Sequence, residues 1–109
     1  MLVWYQLHGK FITKIVELCG MSTVHLWITG KVQGVFYRAT AAEKAKELGL
    51  NGWIKNTENG AVEATVNGSE TGVETFITWC RKGPKQARVD EVVITPKPDD
   101  GLVGFQVFR

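Results

Sequence analysis

Histidine, cysteine and net charge are all scarce in this chain, and each scarcity removes a class of function. Its two cysteines, Cys19 and Cys80, stand far apart and in no Cys-x-x-Cys or Cys/His cluster, so neither a zinc site nor a redox motif is supported. Two free or buried thiols in a reducing compartment follow, and with them a cytoplasmic location. The formal net charge is only +2, which leaves no clustered basic face to neutralise phosphates, and no nucleic acid is expected as a partner. A long uninterrupted apolar run is missing as well. Residues 1–20 are apolar but broken by Lys10, Lys14 and Glu17, too short and too charged to span a bilayer, so no membrane is expected. They also lack the basic start, unbroken apolar core and small-residue cleavage site of a secretory signal. There is no internal repeat, low-complexity tract or linker.

What is present is enough for one domain. With 109 residues, 44% hydrophobic and 22% charged, the chain can bury a single two-layer core without disulfides or a structural metal. Val24, Leu26 and Ile28 alternate with His25, Trp27 and Thr29, the period of a strand with one buried face; this puts His25 on the exposed side. Tyr37, Ala41, Ala45 and Leu48 share one face of a helix that stops at Gly49. Its start is either a capping box at Thr40-x-x-Glu43 or, if the preceding loop is an anion cradle, a point near Tyr37; the cradle favours the earlier start. Residues 52–57 and 61–67 read as an antiparallel pair around an Asn59-Gly60 turn, with Val62, Ala64 and Val66 on one face. A second helix begins near Thr71, capped by Thr71-x-x-Glu74, and ends at Gly83-Pro84 with Val73, Phe76, Ile77 and Cys80 inward. Residues 89–95 and 102–108 are the last strands, with a proline- and aspartate-containing turn between them. Two helices on one face of a mostly antiparallel sheet make an α+β, ferredoxin-like βαββαβ sandwich.

Residues 1–20 form an N-terminal extension ahead of the 21–109 domain. Trp4, Leu7, Phe11, Ile15 and Leu18 have helical spacing, yet the runs either side of His8-Gly9 suit a hairpin equally well. Because Met21 precedes the domain, the extension is expected to arise from an upstream start and to be dispensable.

The chain is organised around Ile28-Thr29-Gly30-Lys31-Val32-Gln33-Gly34-Val35-Phe36-Tyr37-Arg38, which joins a strand to a helix through two glycines and closes on one arginine. Glycines let successive amides point into one concavity, the helix adds free N–H groups and its positive dipole end, and a guanidinium grips two phosphate oxygens at once. An isolated strand-Gly-helix junction would be weak support for a phosphate pocket. The whole string Gly-Lys-Val-Gln-Gly-Val-Phe-Tyr-Arg, however, closely resembles the signature loop of the acylphosphatases. A second signature of that family follows at Gly52-Trp53-Ile54-Lys55-Asn56, with Gly60, Val62 and Gly68 at matching spacing. The resemblance covers residues 23–109. It departs from the family pattern at Tyr37, where phenylalanine or methionine is usual, and at Ile54, where a smaller residue is; a buried Tyr37 hydroxyl needs a partner.

The resemblance implies a ferredoxin-like fold and metal-independent, cofactor-free hydrolysis of a small-molecule acyl phosphate to a carboxylate and inorganic phosphate. It assigns Arg38 and Asn56 the catalytic roles. The amides of Gln33, Gly34, Val35, Phe36, Tyr37 and Arg38 would surround the phosphoryl oxygens, and Asn56 would orient the attacking water. Read from its neighbours alone, Asn56 fits the Asn56-Thr57-Glu58-Asn59-Gly60 turn better; paired with the loop motif, the water-orienting role is the one favoured. The residues themselves agree with an easily departing leaving group. A carboxylate has a conjugate-acid pKa of roughly 4 and departs unprotonated, so no general acid is needed, and none stands in these motifs. Two other classes compete: a module that binds phosphate without turnover, and an RNA-binding sheet using Trp27 and Trp53 as stacking platforms. A monomer is expected.

Overall fold

The computed structural model describes residues 2–7 and 10–15 at the level of the backbone, and residues 21–99 and 101–108 in full. The elements in chain order are β1 (Leu2–Leu7), β2 (Lys10–Ile15), β3 (Met21–Lys31), α1 (Tyr37–Glu47), β4 (Asn51–Asn56), β5 (Val62–Ser69), α2 (Glu70–Lys82), β6 (Arg88–Pro96) and β7 (Phe105–Phe108). Strands β1 and β2 pair antiparallel, from Leu2 opposite Ile15 to Leu7 opposite Lys10. Of the two patterns carried by the extension, the hairpin is therefore the one adopted; His8, Gly9 and residues 16–20 lie outside the described residues.

The remaining strands form one sheet in the order β6-β3-β5-β4-β7. The pairs β3–β5, β3–β6 and β4–β5 are antiparallel and β4–β7 is parallel. With α1 packed on β4 and β7, and α2 on β3, β5 and β6, this is the expected ferredoxin-like α+β sandwich. The alternation in β3 sends Val24, Leu26 and Ile28 into the core, where they meet Ile54, Val62, Ala64, Val66, Val73 and Phe76. Apolar burial of this kind contributes roughly 25 cal/mol per Å² and stabilises α1, whose 11 residues are mostly good helix formers but too few to hold a helix alone. No helix among the described residues is long and apolar enough to cross a membrane.

Four details differ from the sequence reading. Helix α2 is capped by Ser69, whose Oγ accepts from the Gly72 amide at 3.0 Å; Thr71 lies inside the first turn, where its carbonyl accepts from Thr75 Oγ1 instead. Asn56 pairs with Val62, so the connection between β4 and β5 spans residues 57–61 and is closed by Thr57 N–H donating to the Ala61 carbonyl at 2.9 Å, wider than a tight Asn-Gly turn. His25 does face away from the core, but it is half-buried, with Nε2 2.7 Å from Glu63 Oε2. Finally, β6 and β7 occupy opposite edges of the sheet, so the segment between them is a crossing connection, held to β4 where Gly52 N–H donates to the Gly104 carbonyl at 2.8 Å.

Candidate active site

At the end of β3 the two signature glycines separate into different jobs. Gly30 belongs to the strand: the pairing with β6 slips between Thr29 and Gly30, and at φ 128° a Cβ on Gly30 would stand 2.1 Å from the Arg88 carbonyl oxygen. Only a residue without a side chain lets β3 and β6 approach so closely there. The sequence reading placed Gly30 in the cradle, and the structure places it in the bulge that leads to it. Gly34 is the cradle glycine, with φ 74° and open space where a Cβ would project.

Two residues further on, Phe36 also takes a left-handed backbone, φ 64° and ψ 17°, the only non-glycine residue to do so among those described. For a bulky L-residue that conformation costs about 1–2 kcal/mol. Left-handed and right-handed residues in alternation turn consecutive N–H groups toward one concavity. Phe36 is also the residue flanking the start of α1, and no side chain caps that helix. The first helical bond runs from Thr40 N–H to the Phe36 carbonyl at 3.0 Å, so the amides of residues 37–39 have no intrahelical acceptor and remain available to an anion. The earlier of the two helix starts read from the sequence is the one observed; Thr40 instead donates its hydroxyl to the Phe36 carbonyl at 2.7 Å.

Around this bend lies a cleft of about 260 Å³ lined by Val32, Gly34, Phe36, Tyr37, Arg38, Ala39 and Asn56. The structure thus brings Asn56, from the end of β4, to the same cavity as Gly34, Phe36, Tyr37 and Arg38. The side chains of Gln33 and Val35 go elsewhere. Val35 is buried in the core. Gln33 Nε2 donates to the carbonyls of Thr57 and Ala61 at 2.7 and 2.8 Å, fastening the cradle to the loop that follows Asn56. Arg38 Nη1 donates to the Phe108 carbonyl at 3.1 Å, so the guanidinium is held against β7 while it borders the cleft. Tyr37 is almost wholly buried, and its hydroxyl donates to the Cys80 carbonyl at 2.6 Å. That carbonyl is the one whose ordinary helical donor would be residue 84, a proline with no N–H. Burial pushes the Tyr37 phenol far above its usual value, which keeps it a donor, and pushes the Cys80 thiol up to about 12, which keeps it inert.

Asn56 supplies the site's chemical asymmetry. Its Oδ1 is buried and has no hydrogen-bond partner among the described residues. An unpaired buried amide oxygen is costly, about 1–3 kcal/mol, and native folds keep such groups where a ligand or water completes them. Sequence reasoning missed the lining by Val32 and Ala39, the Gln33 clamp and the Phe108 anchor. No group of three or more metal-ligating side chains occurs among the described residues.

A bend of main-chain amides, a guanidinium held at the border of the cleft and a carboxamide lining the same cleft, on a two-layer α+β domain, make an arrangement suited to a tetrahedral oxyanion. Comparison with known proteins narrows this to one family. The family model described as acylphosphatase matches residues 24–107. A Rhodospirillum rubrum protein named acylphosphatase is 47% identical over 85 residues, which cover 78% of this chain and 93% of its own. Its counterpart from Haloarcula marismortui is 40% identical over 83 residues, 76% of this chain and 91% of that one. The solved structure of an acylphosphatase from Coxiella burnetii superposes with a TM-score of 0.79 at 35% identity, covering 82% of this chain and 94% of that chain. The chain belongs to the acylphosphatase family.

Proposed function

We propose that this chain hydrolyses small-molecule acyl phosphates, with the phosphoryl group held by the amides of residues 33–38 and the Arg38 guanidinium, and with Asn56 orienting the water. The observation that carries the reading is the unpaired Asn56 Oδ1 lining the same cleft as Arg38 and the left-handed bend at Gly34 and Phe36. Family membership supports the reaction, and the geometry supports this assignment of its parts.

The water oxygen attacks phosphorus as the bond between phosphorus and the carboxyl oxygen breaks. An acyl phosphate dianion and water become a carboxylate and dihydrogen phosphate, so charge and atoms balance. In a loose transition state negative charge spreads over the equatorial oxygens, where fixed N–H groups and a guanidinium act without reorganising. Asn56 Oδ1 accepts a hydrogen bond from the water and so fixes its direction, the contribution available to a group too weakly basic to deprotonate it. The leaving carboxylate, with a conjugate acid near pKa 4, departs without a proton donor. Each step uses groups of the chain itself, so the activity is metal-independent. We place the protein in the cytoplasm as a monomer whose 21–109 domain is sufficient for activity. The free, buried Cys80 thiol supports the reducing compartment.

Hydrolysis of benzoyl phosphate, with and without a strong chelator, tests the proposal. The wild-type protein is expected to turn it over in both conditions, and a folded Arg38→Ala variant to lose about a thousandfold in kcat/KM, as removal of a charge-assisted transition-state contact does. An Arg38→Ala loss of less than tenfold would overturn the assigned role.

A further inference from the structure

Resting on the acylphosphatase reading, we propose that the side chain of Phe36 is the acyl-group contact of this enzyme and biases it toward acyl phosphates with an aromatic or bulky apolar acyl group. The loop sorts its apolar side chains sharply. Val32, Val35 and Tyr37 are 1%, 5% and 1% exposed, whereas Phe36 between them is 76% exposed. The left-handed backbone at Phe36 is what turns this one ring away from the core that takes its neighbours, so the loop holds an unfavourable conformation and leaves a large apolar surface in water at the same residue. Arg38 and the unpaired oxygen of Asn56 line the same cleft.

The cradle's amides need Phe36 only for its backbone. Glycine, which stands at Gly34 two residues earlier, adopts the same φ without cost; the ring is an addition the bend itself does not require. The cleft of about 260 Å³ holds more than the five heavy atoms of a phosphate. The acyl group attached to a cradled phosphoryl can therefore take the space that is left, where Phe36 is the large exposed apolar side chain and Ala39 and Gly34 offer little surface. An aryl or branched acyl group covers the ring by apolar burial and offset stacking, and an acetyl group covers much less of it. Such a contact forms outside the reacting bond, so it sets preference among substrates without touching the chemistry.

The test is the ratio of kcat/KM for benzoyl phosphate to that for acetyl phosphate, measured in the wild type, Phe36→Leu and Phe36→Ala. A ratio internal to each variant cancels any disturbance of the cradle common to both substrates. Phe36→Ala is expected to lower the ratio about tenfold, the effect of uncovering roughly half an aromatic ring, and Phe36→Leu to lower it about threefold or less. A second measurement on the wild type alone compares the non-hydrolysable benzoylphosphonate and acetylphosphonate as inhibitors, and the aromatic one is expected to bind about tenfold tighter. A Phe36→Ala ratio within twofold of wild type, or equal inhibition by the two phosphonates, overturns the proposal while leaving the acylphosphatase reading intact. A wild-type protein that hydrolyses neither acyl phosphate overturns both.

Discussion

Asn56→Ala separates two roles that a single asparagine at a strand end could have. If Asn56 serves the turn, its side chain holds backbone groups together, and alanine costs stability. The structure gives a different balance. The loop at residues 57–61 is closed by Thr57, whose N–H and Oγ1 both reach the Ala61 carbonyl and whose Oγ1 accepts from the Ala61 amide, and by Gln33 from the cradle side. Asn56 contributes its backbone to the pairing with Val62, which alanine preserves, and a carboxamide whose oxygen is buried and unpaired. Removing that oxygen relieves a desolvation cost of about 1–3 kcal/mol against a small loss of packing, so the net change in unfolding free energy should stay within about 1 kcal/mol. Activity should behave oppositely. Losing one preorganised group at the reacting centre typically costs about 10²–10³ in kcat, or roughly 2.7–4 kcal/mol on the barrier, with KM and inhibition by inorganic phosphate little altered because the cradle and Arg38 remain. Steady-state hydrolysis of benzoyl phosphate and a urea titration on the same preparation measure both quantities. A variant destabilised by more than about 2 kcal/mol that still turns over at the wild-type rate would refute the reasoning and return Asn56 to the turn.

Two further predictions concern the frame around the site. Tyr37→Phe leaves the buried Cys80 carbonyl without the donor that Pro84 cannot supply, so it should lose about 1–3 kcal/mol of stability, visible as a drop of roughly 1 M in the urea midpoint; an unchanged midpoint would show that the hydroxyl is dispensable. On the far face of the sheet, burial raises the Glu63 carboxyl, but the His25 hydrogen bond and the Lys55 charge outweigh it and hold the group below its ordinary value of 4.5. A depressed folded pKa contributes stability above the unfolded value and loses it as pH falls through the folded one. Wild-type stability should therefore decline below about pH 4.5 more steeply than that of Glu63→Gln, by less than about 1 kcal/mol because the pair is partly exposed, and parallel declines in urea titrations across that range would contradict the assignment.

What could be read from the sequence was whatever local periodicity dictates. The alternation of Val24, Leu26 and Ile28 placed the core face of β3, and the anion-cradle pattern placed the start of α1 at Tyr37 rather than at Thr40. What escaped depends on register between distant segments. Gly30 looked like a turn residue because glycine before a helix usually is one; that it serves a bulge is decided by Arg88 and Asp90 on β6, some sixty residues away. Thr71-x-x-Glu74 matches a capping box, yet β5 runs on to Ser69, which leaves the cap to that earlier hydroxyl. Gln33 was assigned to the cradle through its amide, and its side chain proved to clamp a loop more than twenty residues downstream.

That clamp bears on how a domain this small holds a site together. The cradle sits between β3 and α1, Asn56 ends β4, and the segment against which Arg38 rests is β7, the last strand. Productive geometry tolerates displacements of only about 0.5 Å, and a loop as strained as the one at Phe36 would relax if it were free. Three long-range contacts oppose that relaxation. Gln33 ties the cradle to the far side of Asn56, Arg38 is tied to Phe108, and Tyr37 anchors the first turn of α1 to the end of α2. Each starts within six residues of the next and ends on a different element. The bend is thus fixed from three directions, while the amides of residues 37–39 have no intrahelical acceptor and Asn56 Oδ1 has no partner among the described residues. Of the run from Gln33 to Arg38, the side chains of Gln33, Val35 and Tyr37 serve the fold and that of Arg38 is tied to β7 at the border of the cleft; Phe36 is the one whose ring is left mostly exposed, and that is why it is read as belonging to the substrate.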